Sequence, residues 1–312
     1  MPLSENNMKL SVVIPTYYRL KDLSELFESL LKQTVKPLEI IVVDDTPSKI
    51  IEELCAKYRG KFERFNIKLV YVRNYKERSA AIARNIGASI ATGDIILFLD
   101  SDIILYSDYI EKILEVFRSI PNALGAQGHI INIGTKGDGL PHLLKYHLMN
   151  TFRKTFLLSY LRHFSEKSVG FFDGYPIVIA KIINCAGLSG SNMAFRREIF
   201  IQFKFDENLK GYSYMEDLLL SHSIHRKYPN SLYITPYAKC VHKVSREGRT
   251  ETSLFESSHN RKCRKYVLMK LFGVKGLLIF FWQTAGLLLL SIMRKVRRYI
   301  RKQPNLRQHS FQ

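Results

Sequence analysis

Three apolar runs in this 312-residue chain end in polar, mostly acidic residues: Ser11-Val-Val-Ile-Pro-Thr-Tyr17, Ile40-Ile-Val-Val-Asp-Asp45 and Phe98-Leu-Asp-Ser-Asp102. A parallel strand buried on both faces reads as such a continuous run. In open α/β sheets the carboxyl ends of these strands border the ligand crevice. The pattern therefore predicts that Tyr17, Asp44, Asp45, Asp100 and Asp102 reach one edge of a sheet. A fourth acidic pair, Glu216-Asp217, follows Met215 much later. Clustered carboxylates need a cation or a donor to satisfy them, and a divalent metal carrying a diphosphate supplies both.

The order of elements supports this sheet. Strand patterns at Leu10–Pro15, Glu39–Val43, Ile67–Val72 and Ile95–Leu99 alternate with helical spacing at Leu20–Lys32, Ser48–Tyr58, Arg78–Ala91 and Asp108–Ser119. Such alternation implies βαβ units. Four scattered cysteines without a CxxC pair fit a reducing compartment and argue against a disulfide framework or structural zinc. Met1–Lys9 is polar, and no secretory leader is expected there.

Asp100-Ser-Asp102 places two carboxylates on alternate residues just after a strand. One can ligate Mg²⁺ or Mn²⁺ while the other holds a bound water or a ribose hydroxyl, with substrate phosphates completing the shell. A DxD also occurs as a solvated turn or helix cap, so its place after a buried run carries the reading.

At this point the chain resembles the inverting family 2 glycosyltransferases, which have the GT-A fold. The matching elements are Val13-Ile-Pro-Thr-Tyr17, Val42-Val-Asp-Asp45, Ala83-Arg-Asn-Ile-Gly87, Leu99-Asp-Ser-Asp102, Gly190-Ser-Asn-Met-Ala-Phe-Arg196, Glu216-Asp217 and Val241-His242, all in order. The resemblance implies a mixed, mainly parallel sheet flanked by helices. It implies a nucleotide-sugar site built from Pro15, Thr16, Tyr17, Asp44, Asp45, Arg84, Asp100, Ser101, Gly190, Ser191 and Asn192. Asp45 would read the base and Asp44 would assist or orient its loop. Arg84 would contact base or diphosphate, or else form a surface ion pair with Asp94 or another acid; Arg78 is a second candidate for the donor. Asp102 and His242 would ligate the metal, and imidazole suits Mn²⁺ better than Mg²⁺. Asp217 would be the catalytic base, with Glu216 bonding acceptor or loop. The alternative for that pair is an acidic first helical turn.

Lys243–Arg249 follows His242 and reads either as a basic lid that clamps phosphates, with Arg246 foremost, or as a basic linker. The QxxRW element of processive polysaccharide synthases is absent near this loop, which favours one sugar per acceptor.

The rest of the chain is basic and apolar. The net charge is +19, and no acid follows Glu256, whereas thirteen Lys and Arg do. Gly276–Met293 lacks charge altogether, at the lower limit for spanning a bilayer. Both its flanks are basic, so a single span would violate the positive-inside tendency. An in-plane or re-entrant segment, or a hairpin around Gly286, keeps both flanks on an anionic cytoplasmic surface; a buried helix with a solvated tail is the plainer reading. Leu140–Phe164 similarly reads as amphipathic helices on lipid or as core helices with a basic face. The tail lacks a nucleic-acid reader motif. The chain thus divides into residues 9–250, catalytic, and 260–312, membrane-attaching.

The function expected is transfer of one sugar from a nucleotide donor, UDP before GDP or dTDP, to a hydroxyl of a lipid-linked or cell-surface glycan acceptor. A polyprenyl-phosphate (dolichyl-phosphate) glycosyltransferase is the alternative, and a non-catalytic membrane scaffold the third. A sugar-nucleotide pyrophosphorylase would want a Gly-rich N-terminal phosphate loop, which Pro15-Thr-Tyr-Tyr-Arg19 is not.

Overall fold

A computed structural model describes residues 8–131, 140–158, 161, 171–172, 175–176, 180–245 and 257–302. Its centre is a sheet of nine strands. Strands β1 (Leu10–Thr16), β2 (Glu39–Asp44), β3 (Lys68–Arg73) and β4 (Ile95–Leu99) pair in parallel, in the order β3-β2-β1-β4. Between them lie α1 (Leu20–Leu31), α2 (Ile50–Glu63) and α3 (Ala80–Ile90). The residues of β2 and β4 are all buried. Val12, Ile14, Ile40, Val42, Leu97 and Leu99 join a core with α1 and α2 on one face. Val13, Ile41, Val43, Ile96 and Phe98 join another with α3 on the opposite face. Two-sided burial is why these strands are apolar without alternation.

The second half of the sheet is mixed. β5 (Ile103–Leu105) and α4 (Tyr109–Ser119) precede β6 (Gly125–Ile130). Helix α5 (Leu140–Thr155) and the short β7 (Phe171–Phe172), β8 (Tyr175–Pro176) and β9 (Ile183–Asn184) follow. β10 (Asn192–Arg196) runs antiparallel between β4 and β6. Helix α6 (Glu216–Lys227) leads to β11 (Leu232–His242), parallel to β6 and antiparallel to β5.

Two C-terminal helices, α7 (Ser258–Phe272) and α8 (Val274–Lys302), close the described chain. They share a third core, in which Leu218 and Leu219 of α6 meet Cys263, Val267, Leu268, Leu271 and Phe280. α8 runs unbroken through Gly286, so the expected hairpin there is corrected. One glycine inside a helix costs only about 1 kcal/mol relative to alanine, and here it lets Phe156 lie against the helix. A Cβ at Gly286 would come within 2.5 Å of the Phe156 ring. The stretch Val274–Val296 is long and apolar enough to cross a membrane. Its inner side includes the buried Phe280, Gln283 and Leu290, while Leu278, Phe281, Leu288, Leu289 and Ile292 face outward, exposed.

Candidate functional site

The strand ends and two later segments converge on one cavity of about 360 Å³, within the size range of small-ligand sites. Asp100, His242, Gly190, Ser191, Glu216 and Asp217 all line it.

Backbone pairing explains how residues so far apart in sequence meet. In the β10–β4 ladder Asn192 stands opposite Leu99, and the Asp100 N–H donates to the Ser191 carbonyl at 3.0 Å. The antiparallel strand thus brings Gly190 and Ser191 beside the first acid of the DxD. In the β11–β5 ladder His242 stands opposite Ile103, and the Lys243 N–H donates to the Asp102 carbonyl at 3.0 Å. That register sets the imidazole beside the second acid.

Asp100, Asp102 and His242 each present a ligand atom within 4.8 Å of the other two. Two carboxylates and an imidazole are a donor set that suits Mn²⁺, and Mg²⁺ less well. Asp102 is fully buried. Its Oδ1 lies 3.3 Å from His242 Nε2 and 3.0 Å from Arg19 Nη1, and its Oδ2 accepts from the Ser245 N–H at 2.9 Å. Burial alone would raise its pKa, but His242, Arg19 and the Ser245 N–H together hold it well below the usual carboxylate range. The carboxylate stays ionised and ready for a cation.

A second network stands beside it. The buried Arg84 guanidinium donates to Glu216 Oε1, to Asp100 Oδ1 at 2.9 Å and to the Gly190 carbonyl at 3.1 Å. Arg84 lines the cavity, and its ion-pair partners are Asp100 and Glu216, not Asp94, which instead accepts from the Lys9 N–H. Its helix points inward at this position, and three acceptors engage it. Glu216 also lines the cavity while it is largely buried on Arg84. Burial pushes its carboxyl up to about 8, against the Arg84 charge, with Asp217 and Asp100 adding to the rise. Gly190 must be small here, because a Cβ would sit 3.2 Å from Arg84 Nη2 and 3.3 Å from Glu216 Oε1.

Asp217 occupies the first turn of α6, just after Met215 in the left-handed region (φ 72°). Its Oδ2 accepts from the Gly190 N–H and its Oδ1 from its neighbour Leu218, each at 2.8 Å. These bonds aim the carboxylate while it lines the cavity.

A third cluster lies at the ends of β1 and β2. The Arg78 guanidinium stacks 3.7 Å above the Tyr17 ring. Asp45 accepts from Asn74 Nδ2 at 2.6 Å. Its pKa is raised because burial outweighs Asn74, the Ser79 N–H and Arg78. Asp44 is fully buried. Its carboxylate holds the loop, accepting from the Thr46 N–H at 2.8 Å and the Tyr71 hydroxyl at 3.0 Å. The Asn192 side chain lies inside the sheet, donating to the Gly128 carbonyl at 3.1 Å. Thr16 and Ser101 are buried, and Pro15 precedes them in the same strand-end layer. Arg246 lies outside the described residues; of its loop, Lys243 is bound to Asp22 and Glu25.

Sequence reasoning missed Arg19, Asn74 and the basic residues of the far wall, Arg153, Arg264 and Arg294, which line the same cavity. Arg19 stood two residues beyond Tyr17 in a quoted motif. The other four have no local signature.

The glycosyl transferase family 2 model matches residues 11–203 of the chain. An uncharacterized glycosyltransferase of Haemophilus influenzae is 36% identical over 114 residues, 36% of each chain. The glucosyl-dolichyl phosphate glucuronosyltransferase of Haloferax volcanii is 31% identical over 126 residues, 40% of this chain and 39% of the relative. The match thus spans well under half the length of either relative. Among solved structures, GalNAc-T7 with UDP, GalNAc and Mn²⁺ superposes with a TM-score of 0.62 at 18% identity, covering 88% of this chain and 50% of that one. At that identity the likeness shows the fold alone.

Proposed function

This chain belongs to the family 2 glycosyl transferases, and from that premise we propose that it moves one sugar from a nucleotide-diphosphate sugar to a hydroxyl of a lipid-linked or cell-surface glycan acceptor, with inversion. The observation that carries the reading is the single cavity that Asp100, His242 and Asp217 line together. An inverting transfer needs a carboxylate on the acceptor side and charge stabilisation on the diphosphate side, and the cavity wall offers both.

Asp45, Asn74, Tyr17 and Arg78 form the nucleoside corner, where a ring can meet the Tyr17–Arg78 pair and a base N–H can donate to Asp45. The position of Asp45 at a strand end and its partner Asn74 support this role. Asp100, Asp102 and His242 would hold the divalent cation, which, when bound, supplies positive charge to the departing diphosphate. Asp217 takes the proton of the acceptor hydroxyl as the new C–O bond forms at the anomeric carbon and the bond to the diphosphate breaks on the opposite face. Gly190 and Leu218 N–H groups orient that carboxylate. Arg84 and Glu216, which line the same cavity, keep Asp100 and Gly190 in register. UDP is the nucleotide expected first, supported by the UDP and Mn²⁺ in the GalNAc-T7 structure of the same fold.

The outward apolar face of α8 and the acid-free sequence after Glu256 support attachment to the anionic cytoplasmic face of a membrane. Residues 9–250 would then be catalytic and residues 260–312 the attachment segment. The name of the Haloferax relative, a transferase acting on a glucosylated lipid phosphate, supports a lipid-linked acceptor. If instead an ionised polyprenyl phosphate were the nucleophile, no base would be needed. A carboxylate aimed into the cavity would repel it.

The test is a donor screen with purified full-length protein and Mn²⁺, following thermal shift and donor hydrolysis. One nucleotide sugar should raise the melting temperature only with metal present. Absence of metal-dependent stabilisation by any of UDP-, GDP- or dTDP-sugars would sink the reading and favour a non-catalytic scaffold.

A further inference from the structure

Arg19 reaches from one corner of the site to another. It immediately precedes α1, two residues beyond Tyr17. Tyr17 belongs to the nucleoside corner, with the Arg78 guanidinium stacked on its ring. The Arg19 side chain extends to the metal corner, where Nη1 lies 3.0 Å from Asp102 Oδ1. It is largely buried there, at 12% exposure, and the Asp102 side chain is fully buried.

The contact falls on a particular oxygen. Asp102 Oδ2 accepts from the Ser245 N–H at 2.9 Å, whereas Oδ1 lies 3.3 Å from His242 Nε2. A divalent cation shared by Asp102 and His242 would therefore draw on Oδ1, the atom that Arg19 already meets. Lys243 engages the nearest acids of α1, Asp22 and Glu25, and Arg19 turns instead to Asp102.

Electrostatics then set up a competition. A guanidinium and a divalent cation that draw on one buried carboxylate repel each other, and burial weakens the screening between them. Arg19 thus opposes the entry of a bare cation. A diphosphate reverses the balance, because it brings negative charge that can answer both. Guanidinium groups bind phosphate oxygens through paired N–H donors. A donor with its nucleoside at Tyr17 and its phosphates at Asp102 must run its diphosphate between these corners, and Arg19 spans that path.

We propose that Arg19 is a diphosphate-binding residue that exchanges partners: it holds Asp102 in the free enzyme and turns to the donor diphosphate when a divalent cation takes Asp102. This rests on the glycosyltransferase reading and adds to it a binding residue and a coupling. Arg19 penalises metal alone and rewards metal with nucleotide, so the two ligands bind cooperatively. The coupling is reciprocal: UDP tightens Mn²⁺ by the factor by which Mn²⁺ tightens UDP.

The test titrates full-length protein with Mn²⁺, with and without UDP, and reads free Mn²⁺ by electron paramagnetic resonance. UDP affinity at saturating Mn²⁺ is read by calorimetry. In the wild type UDP should tighten Mn²⁺ binding by roughly tenfold or more, within the usual range of coupling between sites. Arg19→Gln removes the competing charge and the phosphate donors together. Mn²⁺ alone should then bind roughly tenfold more tightly, since a neighbouring charge shifts a carboxylate's cation affinity by at least that much. UDP at saturating Mn²⁺ should bind roughly tenfold more weakly, the usual worth of a charge-assisted hydrogen bond. A merely structural role would not move the two affinities in opposite directions. Arg19→Lys keeps the charge beside Asp102 and so guards against misfolding. It should bind Mn²⁺ alone as the wild type does, but UDP roughly threefold more weakly, because the paired donors are lost. The proposal is overturned if Arg19→Gln, folded, binds Mn²⁺ alone no more tightly than the wild type. It is overturned equally if either variant binds UDP at saturating Mn²⁺ as the wild type does. If no nucleotide sugar stabilises the wild type even with Mn²⁺, the glycosyltransferase reading is lost, and the role of Arg19 with it.

Discussion

The two walls of the cavity solve opposite electrostatic problems. The sheet wall gathers Asp100, Asp102, Glu216 and Asp217 and balances them from within, through Arg19, Arg84 and His242. The helical wall gathers Arg153, Arg264 and Arg294 on elements whose last two helices carry no acid. Acids at strand ends are held by short ladders whose geometry is stiff, which suits a reaction that needs atoms aligned. The arginines of the helical wall sit on helices joined by side-chain bonds, through Arg264 and Gln283. One cavity thus joins an acidic wall fixed by strand pairing to a basic wall fixed by helix packing.

The sharpest way to break this division is at Asp217. Asp217→Asn should lower kcat by roughly 10²–10⁴-fold, the usual contribution of a positioned general base, while leaving UDP–Mn²⁺ affinity in calorimetry unchanged. Turnover close to wild type would move the nucleophile to an ionised phosphate and erase the difference between the walls. Next comes the metal corner. Asp102→Asn and His242→Ala should each weaken Mn²⁺-dependent UDP binding by at least roughly tenfold, since even supporting residues of a metal site cost that much.

The helical wall responds to a different change. Leu289→Gln, on the exposed face of α8, should reduce sedimentation with anionic vesicles by on the order of tenfold, if that side chain is buried in lipid. UDP binding would be unaffected. An unchanged vesicle-bound fraction would argue that α8 is only a packed helix.

The smallest expected effect concerns Glu216. Its carboxyl sits at about 8 in the folded protein, above the ordinary 4.5, because burial opposes its charge. Between those values the folded state keeps a proton that the unfolded state has lost. Its contribution therefore makes stability fall as pH rises from 4.5 towards 8. Glu216→Gln should flatten that slope in urea titrations at several pH values. A slope identical to wild type would mean that Arg84 keeps the carboxylate ionised.

Much of the sheet wall was legible in sequence because its signals are local. A strand buried on both faces must be apolar throughout, as in Ile95–Leu99, and whatever follows it stands at the sheet edge, as Asp100 does. The motif order also pointed to Gly190 and Asp217, which meet through one hydrogen bond. Sequence reasoning was blind where a polar residue had a partner far along the chain. The buried partners of Arg84, Asp44 and Asn192, which are the Gly190 carbonyl, the Tyr71 hydroxyl and the Gly128 carbonyl, were not legible. A helix start or a strand end looks the same in sequence whether its side chain turns towards a ligand or towards the interior. Gly286 misled for a related reason, since its small size serves the approach of Phe156 and not a turn.

By itself the sequence determined the strand–helix alternation, the acids at the sheet edge and the basic, acid-free tail, because periodicity and composition act over neighbouring residues. Only the tertiary structure decided which charge answers which. Register brought His242 to Asp102, and packing brought Arg84 between Asp100 and Glu216. Helix docking assembled Arg153, Arg264 and Arg294 around one space. Pairing of charges depends on distances of a few ångströms between residues up to more than a hundred positions apart, and no local pattern in a chain encodes such distances.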